Sequence, residues 1–175
     1  MNNDDILRYP IGKFVAKDIY TPEDINTNIA RIEALPGKIE NAIKNFSAIQ
    51  LDTSYRDGGW TIRQVLHHLP DSHMNAYVRF KWTLTENTPI IKAYNEKAWA
   101  ETPDAALDPR VSIDLLKALH AKWITLLRSL RPEDLPKEFI HPDTQKHIAL
   151  ARLIALYAWH GEHHLGHIQI VAGKK

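Results

Sequence analysis

Cysteine is absent from this chain of 175 residues, and so is any long apolar run. Without cysteine the protein has no disulfides, no thiolate nucleophile and no cysteine-ligated metal. No stretch reaches the roughly 18 consecutive apolar residues that a membrane span needs, and the N-terminus lacks the basic and apolar segments of a signal peptide. We therefore expect a cytoplasmic protein that does not enter a membrane.

An excess of charge of either sign is also missing. Lys and Arg total 22 against 21 Asp and Glu, which gives a formal net charge of +1. This balance gives no electrostatic reason to expect nucleic acid or an anionic membrane as the partner. The length suits one domain, which we place over residues 1–175, with too little chain for two independent cores.

Apolar residues at steps of three and four predict four long helices. The first begins at Thr21-Pro22-Glu23-Asp24, a hydroxyl cap followed by proline and acids, and its stripe extends to Phe46. Pro36-Gly37 predicts a kink there, or two consecutive helices. Thr61 and Gln64 form a capping box that opens the second helix, in which Pro70 interrupts the apolar stripe and predicts a bend or a tertiary compensation.

The second half of the chain predicts two more helices and a small hairpin. The third helix covers residues 112–130, after an irregular segment at 87–111 with a short helix near 96–101. Residues 139–141 and 147–148 flank a turn and predict the hairpin. The last helix covers residues 149–171, and residues 9–14 form an extended arm. The fold class is therefore all-α, a four-helix bundle with a hairpin before the last helix.

Histidine is the residue in excess, with ten copies. His160 and His164 are four apart, so a helix projects both from one face about 6 Å apart along its axis, and both rings can reach one cation. A third ligand has to come from elsewhere. His67, His68 and His73 on the second helix are the candidates, although His73 lies in the apolar stripe and suits the core. His163 and His167 flank the pair.

Two known metal patterns do not fit these residues. Gly161 stands where the His-Glu-x-x-His zinc proteases have their catalytic glutamate, and Glu162 points to another face. Glu138-x-x-His141 is the one Glu-x-x-His motif and falls in a loop, which excludes a di-iron bundle. A plain alternative is a solvated histidine pair, but histidine clusters on two long helices favour a metal site. The other histidines, His120, His141 and His147, are interpreted as structural or exposed.

Several segments are very similar to the YfiT-like proteins of the DinB superfamily. They are residues 51–68 (LDTSYRDGGWTIRQVLHH), 71–77 (DSHMNAY), 157–164 (YAWHGEHH) and the arm at 9–12 (YPIG). The resemblance implies an up-down-down-up bundle, a homodimer, and one zinc or nickel ion held by three histidines. On these positions the ligands are His68, His160 and His164; His68 is chosen over His67 because an apolar residue follows it.

The resemblance implies a metal-dependent hydrolase acting on a small molecule. The residues near the histidines show no obvious general base, and Glu162, Asp71 and His163 are the candidates. Some DinB-like relatives instead transfer low-molecular-weight thiols such as bacillithiol, a reaction that requires no protein base. A third hypothesis is a non-enzymatic metal-binding module involved in stress responses. The three differ in what they predict for turnover: hydrolysis, thiol-dependent transfer, or none.

Overall fold

Seven α-helices and one two-stranded sheet make up the computed structural model, which describes residues 3–173. In chain order the elements are α1 Asn3–Arg8, α2 Pro22–Ile43, α3 Ala48–Leu51, α4 Ile62–Thr85, α5 Glu96–Trp99, a 3-10 turn Pro103–Ala106, α6 Pro109–Arg128, β1 Glu138–Ile140, β2 His147–Ala149 and α7 Leu150–Ala172. The four long helices α2, α4, α6 and α7 form the predicted bundle. In the described part of the chain, no helix has the length and apolarity needed to cross a bilayer.

Contacts between α2 and α6 show that these two helices are antiparallel. Lys117 of α6 lies beside Glu40 near the end of α2, whereas Arg128, at the end of α6, reaches back to Glu33. Each of these helices also packs on one further bundle helix, α2 on α7 and α6 on α4.

The directions of α4 and α7 follow from their own pairs. His67 and His73 of α4 meet Ser112 and His120 of α6 in the same order, so these helices are parallel. On the other side of α4, Ser72 lies beside Tyr157 and His68 beside His160, in reverse order, so α7 is antiparallel to α4. The bundle is therefore up-down-down-up, as predicted. The long connection over residues 86–108 carries the chain back so that α6 can run parallel to α4.

Helix ends follow the predicted capping residues. Thr21 and Asp24 form a complete capping box on α2, and Thr61 and Gln64 form another on α4. Pro36 and Pro70 both lie inside helices that continue through them. The alternative of two consecutive helices at Pro36 is therefore wrong, because the buried proline is accommodated within α2.

The hairpin is confirmed, with Phe139 opposite Ile148 in an antiparallel register. The arm at residues 9–14 follows the short helix α1 and packs along α7, but it is only partly extended, because Pro10 and Ile11 form a turn in which the amide of Gly12 donates to the carbonyl of Tyr9 at 2.9 Å. Pro10 lies against Gly166, where any side chain on residue 166 would overlap the proline ring. Trp159 donates its indole N–H to the carbonyl of Gly12 at 3.1 Å.

Among residues 3–173 the buried apolar side chains form two clusters, one toward each end of the bundle. The first includes Phe80, Trp123 and Leu153; the second includes Leu66, Leu116 and Ile168. Between them, along α4, α6 and α7, lies a layer of histidines. The members of this histidine layer are His68, His73, His120, His160 and His164.

Candidate metal centre

The antiparallel packing of α4 on α7 brings three histidine rings together. His160 and His164 lie one turn apart on α7, and His68 of α4 faces them. One ring nitrogen from each of the three residues lies within 4.8 Å of the others, and Nε2 of His68 is 3.3 Å from Nε2 of His160. Two nitrogens bound at about 2.05 Å to one tetrahedral ion lie about 3.3 Å apart. The spacing of these two atoms therefore suits a shared ion.

Burial keeps the three rings neutral at ordinary pH. His68 and His164 are buried and His160 is partly exposed. Burial lowers the pKa of His68 to about 4. It also lowers the pKa values of His160 and His164 well below the usual value, and the neighbouring histidines lower them further. Since a metal binds the neutral imidazole, this donor set fits a divalent cation.

The other two candidates for the third ligand have different partners. His67 is buried against α6, where its Nδ1 meets the hydroxyl of Ser112 at 2.7 Å and its Nε2 meets the carbonyl of Leu107 at 3.1 Å. His73 is fully buried, as its place in the stripe predicted, but it contacts the centre indirectly through His160. Of the three, the structure brings His68 to His160 and His164; that they bind a metal stays a prediction.

Behind the three rings lie further histidines that sequence reasoning did not connect to the centre. Nδ1 of His160 is 3.3 Å from Nε2 of His73, and Nδ1 of His73 is 2.9 Å from Nε2 of His120. Nδ1 of His120 lies 2.8 Å from the carbonyl oxygen of Ile32 in α2. His120 is therefore structural, as interpreted from the sequence, and also linked to a candidate ligand.

His164 has a similar neighbour on its own helix. Its Nδ1 lies 3.3 Å from Nδ1 of His167, whose Nε2 lies 3.2 Å from the carbonyl oxygen of Arg8 at the end of α1. The ring of His167 also stacks on Tyr55, with centroids 3.8 Å apart. The arm and the loop before α4 thus hold His167 in place from two sides.

A pocket of about 340 Å³ opens over the three histidines. Aromatic side chains of Tyr9, Trp60 and Trp159 contribute to its wall. Its charged lining residues are Arg8, Arg56, Lys97 and Glu96. A larger cleft of about 580 Å³ lies near the C-terminal end of α2, and none of its described lining residues is a histidine. The smaller pocket is therefore the candidate active site.

Only one of the three base candidates lines this pocket. Glu162 is held by Arg31, whose Nε donates to its Oε2 at 3.1 Å, and this hydrogen bond lowers the pKa of Glu162. Asp71 lies outside the lining; burial and then the charge of Asp104 raise its pKa to about 6. His163 does line the pocket and stacks on Trp159, and burial lowers its pKa to about 4.

Gly161 has a packing role that accounts for the missing glutamate. A Cβ added to residue 161 would overlap the side chain of Leu35 in α2. The close approach of α7 to α2 therefore disfavours a larger residue at this position, including the glutamate of a zinc protease, because the side chain of Leu35 would have to shift. The hairpin histidines His141 and His147 are outside the pocket lining, and His147 pairs with Glu138 at 3.0 Å.

Known proteins match this chain over most of its length. The model of the DinB superfamily matches residues 31–168. A protein of Bacillus cereus strain AH820 and one of Bacillus anthracis strain A0248, both named "Putative metal-dependent hydrolase", are each 56% identical over 162 residues, covering 93% of both chains. The solved structure of YfiT from Bacillus subtilis, described as a probable metal-dependent hydrolase with an unusual four-helix bundle topology, superposes with a TM-score of 0.94 at 45% identity, covering 97% of both chains.

Proposed function

We propose, from the premise that this chain belongs to the DinB superfamily, that it is a metal-dependent hydrolase acting on a small molecule. The observation that carries the proposal is the convergence of His68, His160 and His164 at the floor of an open pocket. Three protein ligands with a position left for water or substrate are the arrangement of a catalytic site, whereas structural zinc sites have four protein ligands.

The three histidines would hold a divalent metal, with zinc as our first choice and nickel as the second. Such an ion would act as a Lewis acid that polarises the scissile group and makes water more acidic. The chain itself supplies three neutral nitrogen donors, which suit zinc, nickel, copper and iron alike. Trp60 and Trp159 add large aromatic surfaces to the pocket wall.

The charge of the pocket favours a substrate with an anionic group. Arg8, Arg56 and Lys97 line it, Glu96 is the single carboxylate among the described lining residues, and Asp4 outside the lining is 3.7 Å from Arg56. A divalent ion at its floor would add two further positive charges. We therefore expect ester or amide substrates that carry a carboxylate to give a lower KM than their neutral analogues, and Arg56→Gln to reduce the difference.

A second candidate is transfer of a low-molecular-weight thiol to an electrophile. Two of the three base candidates are unsuited to activating water, since Arg31 holds Glu162 and Asp71 lies outside the pocket lining. Thiol transfer at the same centre needs no protein base, because the metal itself favours the thiolate form of the thiol. Turnover with a thiol and an electrophile, but none with esters or amides, would select this reaction over hydrolysis.

Metal analysis of the purified protein tests the centre that both reactions share. We expect about one equivalent of metal in the wild type and its loss in His68→Ala, His160→Ala and His164→Ala. His147→Ala is the control, because His147 lies on the exposed hairpin outside the pocket lining. Full metal content in all three ligand variants would overturn the site.

Activity measured on the metal-loaded wild type then separates the hypotheses. Hydrolysis of an ester or amide panel that stops on chelation supports the hydrolase. Metal binding without turnover in either assay would instead support the non-enzymatic metal-binding module. The homodimer implied by the resemblance is a separate proposal, and sedimentation at several protein concentrations tests it.

A further inference from the structure

The hydrogen bonds behind His160 have one possible direction if every ring is neutral. The carbonyl oxygen of Ile32 can only accept, so Nδ1 of His120 donates to it. A neutral ring has one N–H, so Nε2 of His120 accepts from Nδ1 of His73. By the same reasoning Nε2 of His73 accepts from Nδ1 of His160. The proton of His160 therefore lies on Nδ1, and its Nε2, which faces His68, keeps a free lone pair.

The bonds behind His164 lead to the same result by a shorter route. The carbonyl oxygen of Arg8 accepts from Nε2 of His167, so Nδ1 of His167 has no proton. It accepts from Nδ1 of His164 at 3.3 Å. His164 is therefore also protonated on Nδ1, which leaves its Nε2 free. His167 is the one member of either chain that we expect to be protonated on Nε2.

Both chains end on carbonyls whose usual amide partner, four residues further along, is missing or bonded elsewhere. The amide that would normally bond the carbonyl of Ile32 belongs to residue 36, and Pro36 has none. Arg8 is the last residue of α1, and the amide of Gly12, four residues on, bonds Tyr9 instead. The buried proline in α2 thus frees the acceptor that sets the direction of the longer chain.

Burial supports neutral rings throughout these chains. His73, His120 and His167 are 0%, 3% and 2% exposed. Their described neighbours in the chains are other histidines and carbonyl oxygens, with no carboxylate to stabilise an imidazolium. A proton added to His73 would make both of its nitrogens donors, and His160 would then have to move its own proton to Nε2.

We infer that His73, His120 and His167 are positioning residues that fix His160 and His164 in the tautomer whose Nε2 atoms can bind the metal. This inference rests on the metal site proposed above and extends it from three histidines to six. Hydrogen bonds to the second nitrogen of a ligand histidine fix its tautomer and orientation in metal sites generally. Here histidines, rather than carboxylates, supply the bonds, so the centre gains orientation without gaining negative charge.

Nitrogen NMR of the wild-type protein tests the inference without a variant. Two-bond 1H–15N correlation spectra distinguish the two neutral tautomers and the imidazolium. In the metal-free protein at pH 7.5 we expect Nδ1–H forms for His73, His120, His160 and His164, and the Nε2–H form for His167. An Nε2–H form or an imidazolium at His160 or His164 would overturn the inference. Because no metal is present, this result is independent of the proposed function.

Zinc affinity, measured by competition with a chelator, tests the role of His73. His73→Leu removes both ring nitrogens and should weaken zinc binding by roughly 10- to 100-fold, the range found for partners of ligand histidines. His73→Gln keeps one donor and one acceptor and should restore most of the affinity. The matched control is His67→Leu, which removes a buried histidine with two hydrogen bonds that is outside both chains.

Equal zinc affinity in folded His73→Leu and the wild type would contradict the inference, and so would equal losses in His73→Leu and His67→Leu. A wild type that binds no zinc but shows the expected tautomers would overturn the proposed function and leave the tautomer assignment standing.

The proline gives a further test in which stability and affinity should move in opposite directions. Pro36→Ala restores an amide that competes with His120 for the carbonyl of Ile32. We expect a higher melting temperature, because alanine favours the helix, together with zinc binding weaker by about 10-fold. Unchanged zinc affinity in this variant would show that the carbonyl of Ile32 does not set the direction of the chain.

Discussion

Helix α4 packs buried histidines against α6 on one side and α7 on the other. The partners of these rings differ between the two helix–helix contacts, which we call the α4–α6 seam and the α4–α7 seam. In the α4–α6 seam each ring is paired: His67 meets Ser112, and His73 meets His120. In the α4–α7 seam His68 converges with His160 and His164 on one point beneath an open pocket. Five of these six histidines are buried, and His160 is partly exposed. A ligand candidate therefore differs from a structural histidine in one respect. One of its ring nitrogens faces the ring nitrogens of other histidines and has no protein hydrogen-bond donor.

Replacing each of the two adjacent histidines of α4 by glutamine, one at a time, is the most direct test of the difference between the two seams. His68→Gln should reduce zinc affinity by more than about 100-fold, because it removes one of three ligands. His67→Gln should leave zinc affinity within about threefold and cost about 1–3 kcal/mol of stability, since it disturbs two buried hydrogen bonds. Isothermal titration with zinc and urea denaturation of the metal-free variants measure the two effects. If only His67→Gln lost zinc binding, His67 would be the ligand and His68 the structural residue.

The pH dependence of the free energy of unfolding tests the α4–α6 seam in the metal-free protein. Burial lowers the pKa of His120 from 6.5 to about 4. Above pH 6.5 the ring is neutral in both the folded and the unfolded chain and has no effect. As the pH falls from 6.5 toward 4 the unfolded chain binds the proton first, so His120 alone lowers the free energy of unfolding by up to about 3 kcal/mol.

Urea denaturation at several pH values, wild type against His120→Gln, isolates this contribution. The glutamine variant does not titrate, so its stability should fall less steeply between pH 6.5 and 4. Parallel curves for the two proteins over this range would show that His120 is not held neutral in the fold.

The α4–α7 seam also depends on how closely α7 approaches α2. Gly161→Ala places a methyl group against Leu35 and should destabilise the protein by about 1–3 kcal/mol through overpacking. Gly37→Ala is the matched control, because nothing lies within 4 Å of a Cβ built there, and alanine should stabilise α2 by up to about 1 kcal/mol. The melting temperatures of the two variants should shift in opposite directions relative to the wild type. An unchanged melting temperature in Gly161→Ala would mean that α7 can move away from α2.

The smallest effect is expected at Glu162, which follows Gly161 but faces α2. Glu162→Gln weakens a partly exposed ion pair with Arg31 and should cost less than about 1 kcal/mol. Zinc affinity and turnover should stay close to those of the wild type. A turnover rate lowered by two orders of magnitude, with metal content unchanged, would instead make Glu162 the general base and would end its interpretation as a surface ion pair.

Much of this architecture was predictable because its signals are local. The N-cap at Thr21, the capping box at Thr61, the hairpin around residues 142–145 and the spacing of His160 and His164 depend on residues within a few positions of one another. The short helices α1 and α3 were not predicted, since so few residues carry no measurable periodicity. The proline at position 36 suggests an interruption by its type alone, although its effect is to free one carbonyl within a continuous helix.

The sequence by itself determined the four amphipathic helices, the absence of a thiol ligand and the pair of candidate ligands on α7. Helical periodicity left His67, His68 and His73 open and the resemblance implied His68, but only the tertiary structure shows that His68 faces that pair, because the rotation of α4 about its axis is set by packing on α6 and α7 together. The tertiary structure also decided that His73, His120 and His167 stand behind the centre. These contacts join residues up to 159 positions apart, as between Arg8 and His167, and no local pattern encodes such a distance.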